Sequence, residues 1–228
     1  MAGAATASVP RQLALALEHA ESFAREDFLT GPSNLAALRL IEQWPDWPDR
    51  MVLLVGPEGS GKSHLAAIWA QAAGARSMAA RALVSERIPG ALATGVLVVE
   101  DLRAGAFDER ALFHLINLAR EERASVLLTA RSAPAGWTIE TPDLASRLRA
   151  LPLIALAPPD DTLLRALIFK LFADRQIAVD ESLVSFLVTR IERSFAGVRA
   201  AVAALDEEAL RLQRPVTRAL AGSLFREP

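Results

Sequence analysis

A chain of 228 residues, 52% of them hydrophobic and with a formal net charge of -2, has enough apolar content for a core and too little charge for a disordered state. It holds no cysteine, which excludes disulfide frameworks, thiolate metal sites and cysteine nucleophiles. Its 25 Lys and Arg against 27 Asp and Glu argue against broad nucleic-acid binding, and its longest uncharged runs, residues 63–75 and 88–99, fall short of the ~18–20 residues a membrane helix needs.

Residues 1–25 are predicted to be a flexible N-terminal segment, in which Gln12-Leu13-Ala14-Leu15-Ala16-Leu17 alternates leucine with small residues. The turn-rich Thr30-Gly31-Pro32-Ser33-Asn34 leads into a helix over 35–41, which the Trp44-Pro45-Asp46-Trp47-Pro48 segment breaks. Continuous apolar runs predict strands at 51–55, 96–99, 126–129 and 153–156. A helix is predicted from Lys62 to about residue 73, and the spacing of Leu112, Leu115, Ile116 and Ala119 predicts another. Runs without alternation suit a parallel sheet covered on both faces. After Pro158-Pro159 the strands stop. Asp160, Asp180 and Ser194 each stand where a helix N-cap belongs, and a last helix is predicted to begin near Pro215. The expected organisation is therefore an α/β base over 26–157 and a helical bundle over 158–228.

The strongest chemical signal is Gly56-Pro57-Glu58-Gly59-Ser60-Gly61-Lys62-Ser63, which matches G-x-x-x-x-G-K-[ST] (the Walker A phosphate loop) between a strand and a helix. Its glycines let successive N–H groups turn inward to phosphate oxygens, and the helix N-terminus adds partial positive charge. In such a loop Lys62 serves the β- and γ-phosphates, and the Ser63 hydroxyl ligates Mg²⁺. Glu100 and Asp101 end the next buried strand and are the candidate metal-side carboxylates. Their order, Glu then Asp, reverses the usual pattern, so either one can be the group that faces metal or water.

These motifs, in this order, make the chain resemble the AAA+ ATPases, and within them the DnaA/Hda group of bacterial replication proteins. Phe28-Leu29-Thr30-Gly31-Pro32-Ser33-Asn34 resembles the group's box beside the adenine, and Gly61-Lys62-Ser63-His64-Leu65 its phosphate loop. Leu127-Leu128-Thr129-Ala130-Arg131 falls at the first sensor strand, with Thr129 in the sensing position. Asp143-Leu144-Ala145-Ser146-Arg147-Leu148 resembles the segment bearing the arginine finger, which implies that role in trans for Arg147. Phe195-Ala196-Gly197-Val198-Arg199 resembles the second sensor, which implies a phosphate-facing Arg199. From the residues alone, Arg147 and Arg199 read as solvated charges and Thr129 as a β-branched strand residue.

The resemblance implies a P-loop base with a C-terminal helical lid, ATP or ADP with Mg²⁺ as ligands, and a cytoplasmic protein capable of forming oligomers. Gln12, Leu13, Leu15 and Leu17 resemble the short peptide by which the Hda branch docks on the DNA polymerase sliding clamp, although the same leucines would also suit packing on their own core. No DNA-binding helix-turn-helix segment follows the lid, so no direct sequence-specific DNA contact is expected. The implied function is repression of replication initiation, by stimulating ATP hydrolysis on a DnaA-type initiator. The alternatives are a stand-alone ATPase, or an adaptor that loads a helicase or anchors the initiator.

Overall fold

The computed structural model describes residues 23–225, so the alternating leucine peptide at 12–17 lies outside the described residues. The main elements in chain order are α1 (Leu35–Glu42), β1 (Met51–Val55), α2 (Lys62–Ala73), β2 (Arg76–Ala79), α3 (Ile88–Leu92), β3 (Val96–Leu102), α4 (Glu109–Glu121), β4 (Ser125–Ala130), α5 (Pro142–Ala150), β5 (Leu153–Ala155), α6 (Asp161–Asp174), α7 (Glu181–Arg190), α8 (Phe195–Leu212) and α9 (Arg218–Leu224).

The strands form one five-stranded sheet in the order β2-β3-β4-β1-β5, and every pairing is parallel. All five residues of β1 are buried, which is what burial on both faces requires of a strand without alternation. Successive side chains still point to opposite sides. Met51, Leu53 and Val55 enter a core with Leu112, Leu115 and Ile116 of α4, while Val52 and Leu54 enter a second core with Leu65, Ile68 and Trp69 of α2. On the α2 side Trp69 stacks on Trp47 with ring centroids 4.9 Å apart, and the Trp47 indole N–H donates to Leu40 O at 2.7 Å. That aromatic contact fixes the helix that carries the phosphate loop.

Strands β1 and β4 lie where the apolar runs put them, and β5 ends at Ala155. Two features differ from the sequence expectation. Strand β2 has no apolar run to announce it, because an edge strand with one neighbour needs none; Arg76 and Ser77 are exposed. Strand β3 continues past Val99 to Leu102 through an irregularity in which Val99 pairs Leu128 but Leu102 pairs Ala130. The extra residue on β3 is a β-bulge, and Asp101 within it has a left-handed backbone, φ 64°.

Helices α6–α9 pack around their own apolar cluster, which includes Leu164, Ile168, Phe172, Leu187 and Val202. The capping residues act as the sequence implied: the side chains of Asp160, Asp180 and Ser194 accept from Leu163 N, Leu183 N and Gly197 N. The last helix starts at Arg218, capped by Thr217. No helix among the described residues is long and apolar enough to cross a membrane.

Candidate functional site

Strand β1 delivers the loop of Gly56–Ser63 to the carboxyl edge of the sheet, beside the end of β4, where Gly56 N donates to Ala130 O at 3.2 Å. The loop is too tight for a side chain at Gly56 or Gly59. A Cβ on Gly56 would lie 2.7 Å from both Leu156 O and Ser60 Oγ. Gly59 and Gly61 have φ of 69° and 96°, a region L-residues rarely adopt. Gly61 is the N-cap of α2 and brings no side chain to cover the first N–H groups of that helix. Lys62 Nζ folds back beneath the loop and donates to Gly56 O and Pro57 O, each at 2.7 Å. Burial lowers the Lys62 pKa, the nearby Arg131 lowers it further, and Asp101 and Glu58 oppose them.

The lid meets the loop directly. Phe195 N donates to Gly59 O at 3.0 Å, and a Cβ on Gly59 would lie 2.8 Å from Ser194 Cβ. Between loop and lid is a cavity of about 280 Å³. Gly59, Gly61, Lys62 and Ser63 form its loop wall; Leu167, Phe195 and Arg199 form its lid wall; Phe23, Phe28 and Leu29 close an apolar side. The cations of Lys62 and Arg199 and the aromatic wall fit a ligand that joins phosphate to a flat ring, and the carboxylates of Asp27 and Glu58 also line the cavity. The cradle of left-handed glycines around an ammonium fits the phosphate part.

Asn34 holds the apolar side in place: it is buried, its amide donates to Leu29 O at 2.9 Å, and its Oδ1 accepts from Gly31 N at 2.9 Å. His64 is buried between Phe23 and Phe28, edge-on to both, with Nε2 at 2.9 Å from Ala24 O. It orders the aromatic wall.

The carboxylates lie along the same edge, outside the cavity lining. Thr129, next to last in β4, is buried, and its hydroxyl accepts the Asp101 N–H at 3.0 Å, so the threonine pins the bulge. The Asp101 carboxylate is held by Arg103, whose Nε and Nη2 donate at 2.8 and 2.7 Å. That hydrogen-bonded guanidinium is the main cause of an Asp101 carboxyl held below the usual range. Arg131 bridges from the sheet to the loop, with Nη1 2.5 Å from Glu58 Oε2 and Nε 3.7 Å from Asp101 Oδ1. Among the described residues no group of three or more His, Asp or Glu is assembled for a metal. Asp101 is held by Arg103; of the other two expected metal-side donors, Ser63 lines the cavity and Glu100 is half-buried at the end of the sheet.

The structure thus brings Phe28, Leu29, Glu58, Gly59, Gly61, Lys62, Ser63, His64 and Arg199 to one cavity. It does not bring Arg147 there: on α5, its guanidinium lies 4.6 Å over the ring of Phe113 of α4. Sequence reasoning missed Phe23, Leu167 and Phe195 as cavity walls, and Arg103 and Arg131 as partners of the acids. The signal for Arg131 was its place at the end of β4, which becomes informative once β4 is known to adjoin β1.

No family model matches the chain. It is similar to the chromosomal replication initiator protein DnaA of Caulobacter sp. (strain K31), 29% identical over 171 residues that cover 63% of this chain and 34% of that protein. The DnaA of Caulobacter vibrioides (strain NA1000 / CB15N) is 30% identical over the same length, with the same shares. The chain spans about a third of the length of these curated relatives. Among solved structures, domain III of the Thermotoga maritima replication initiation protein DnaA superposes with a TM-score of 0.70 at 19% identity, covering 90% of this chain and 98% of that one. AMPPCP-bound DnaA from Aquifex aeolicus gives 0.67 at 16% identity, covering 83% and 66%. A point variant of Thermotoga maritima RuvB gives 0.67 at 15% identity, covering 88% and 70%. The fold is that of the AAA+ P-loop ATPase domains.

Proposed function

We propose that this protein binds ATP or ADP with Mg²⁺ between an α/β base (26–157) and a helical lid (158–228), and acts as an Hda-like regulator of replication initiation in the cytoplasm. The reading is supported above all by the single cavity that joins Lys62, Arg199 and the Phe28–Leu29 wall. In it, Lys62 and the N-terminus of α2 hold phosphate charge, Phe28 and Leu29 shield the base, and Arg199 couples the lid to the phosphates. Ser63 and Glu100 hold the metal. Bound Mg²⁺ neutralises phosphate charge.

Hydrolysis by the protein alone is expected to be slow, because the Asp101 carboxylate that would orient water is engaged by Arg103 on both oxygens. That observation favours a regulator over the stand-alone ATPase. Arg147 is the group offered to a partner: it stands on α5 away from its own cavity, half-buried, with its guanidinium over the ring of Phe113. Docked on the sliding clamp through residues 12–17, the protein presents Arg147 to ATP on a DnaA-type initiator. There it stabilises the charge of the transferring phosphoryl group, a contribution of about 10³–10⁵ in rate for arginine fingers elsewhere.

The test is initiator ATP hydrolysis with clamp-loaded DNA, comparing wild type, Arg147→Ala and Gln12→Ala. Arg147→Ala should keep nucleotide and clamp binding and lose the stimulation, whereas Gln12→Ala should lose clamp binding first. Stimulation that survives Arg147→Ala refutes the mechanism. Capture of helicase in place of initiator would favour the adaptor.

A further inference from the structure

Glu58 and Arg131 face each other across the lip of the phosphate loop. Glu58 is the second variable residue of the loop, and Arg131 follows β4 directly. With Asp101 and Arg103 they make a row of alternating charge, Glu58–Arg131–Asp101–Arg103, along the carboxyl edge of the sheet. Two members of the row bear on the field at the loop. A carboxylate on a phosphate loop repels phosphate, and a guanidinium near Lys62 repels its ammonium. Paired, each cancels the other's field at the loop.

The pair is also easily exchanged. The side chains are 41% and 69% exposed, and an ion pair in that setting shifts an equilibrium by less than about fivefold. A guanidinium that instead donates to a phosphate oxygen makes a charge-assisted contact worth about tenfold or more. Arg131 stands outside the base-lined cavity but within electrostatic reach of Lys62, the residue that serves the outer phosphates of such loops. A ligand that ends at the second phosphate leaves Arg131 on Glu58; one with a third phosphate gives it a better partner.

On the nucleotide reading above, we propose that Arg131 is the specificity-determining residue that separates nucleoside triphosphate from diphosphate, and that Glu58 competes with the terminal phosphate for it. Occupation of the site by triphosphate then frees Glu58 and loosens the Arg131 contact with Asp101. The state of the outer phosphate is thereby passed along the row to the bulge.

The experiment is equilibrium titration of the full chain with Mg²⁺ and either AMPPCP, which cannot hydrolyse, or ADP. The variants are Arg131→Ala, Glu58→Gln, the double variant and, as control, Lys62→Ala. Arg131→Ala should weaken AMPPCP about tenfold and ADP less than about threefold. Glu58→Gln should strengthen AMPPCP a few-fold by releasing Arg131, and the double variant should keep the triphosphate-to-diphosphate ratio of Arg131→Ala. An equal loss for both ligands, or a wild-type ratio in the double variant, overturns the proposal, because Arg131 would then only mask Glu58. If wild type binds neither ligand better than Lys62→Ala, the nucleotide reading itself has failed and this inference falls with it. Both side chains are exposed enough for folding to survive the substitutions. The ligand ratio reports specificity that a purely structural role would not change.

Discussion

Gly59→Ala should separate the lid from the phosphate loop. The new methyl would sit 2.8 Å from Ser194 Cβ, 3.0 Å from Ser194 Oγ and 3.4 Å from Ala196 Cβ, all on the lid side of the contact. Its backbone, at φ 69°, adds about 1–2 kcal/mol of left-handed strain for a residue with a Cβ. If nothing moved, overpacking would add about 1–3 kcal/mol. The cheaper response is for α8 to tilt away, which breaks the 3.0 Å bond from Phe195 N to Gly59 O. A total of about 2–5 kcal/mol corresponds to a Tm lower by roughly 4–20 °C, at about 2–4 °C per kcal/mol for a chain of this size. The atoms responsible can be removed: Ser194→Gly deletes the nearest contacts and costs only a few tenths of a kcal/mol as a helix cap. In thermal melts of the two single variants and the double, Ser194→Gly should recover about 1 kcal/mol or more of the Gly59→Ala loss. Strictly additive effects would refute steric contact with the lid as the cause and leave backbone strain alone.

Asn34→Ala should cost about 1–3 kcal/mol for each partner left unsatisfied, Leu29 O and Gly31 N, and should weaken nucleotide several-fold by releasing Phe28 and Leu29; titration and melts on one sample check both. Trp69→Ala, which empties a fully buried site against Trp47, should cost about 3–5 kcal/mol and lower the Tm by roughly 6–20 °C in calorimetry. Arg103→Ala should show a pH-dependent penalty. Arg103 depresses the folded Asp101 pKa, so its stabilisation is complete above the unfolded value of about 3.9 and is lost as pH falls through the folded value. The Tm gap between wild type and Arg103→Ala should therefore be constant near neutrality and close below about pH 4.

How much of this was legible in the sequence follows from what each feature depends on. Strand β1 and the core of β3 and β4 could be read because burial on both faces leaves an unbroken apolar run. The caps at Asp160, Asp180 and Ser194 could be read because a cap is a local bond over three residues. The phosphate loop is local in the same sense. What could not be read depends on strand order or on contacts across the chain. The bulge that turns Asp101 exists because Thr129 lies on the neighbouring strand to receive its N–H. Arg131 reaches Glu58 because β4, distant in sequence, adjoins β1 in the sheet. The support of Arg147 on Phe113 needs α5 laid against α4.

The common direction of the five strands also makes the molecule convenient to instrument. The loop, the bulge and Arg131 all leave the same edge of the sheet, whereas α4 ends at Glu121, with Glu122 as its C-cap, by the opposite edge, where β4 begins. Because the sequence contains no cysteine, one thiol introduced at the exposed Glu122 and another at the exposed Glu207 of α8 would be the only two reactive sites. A donor and acceptor dye placed there would report lid displacement as a change in energy transfer, with neither label near the phosphate loop.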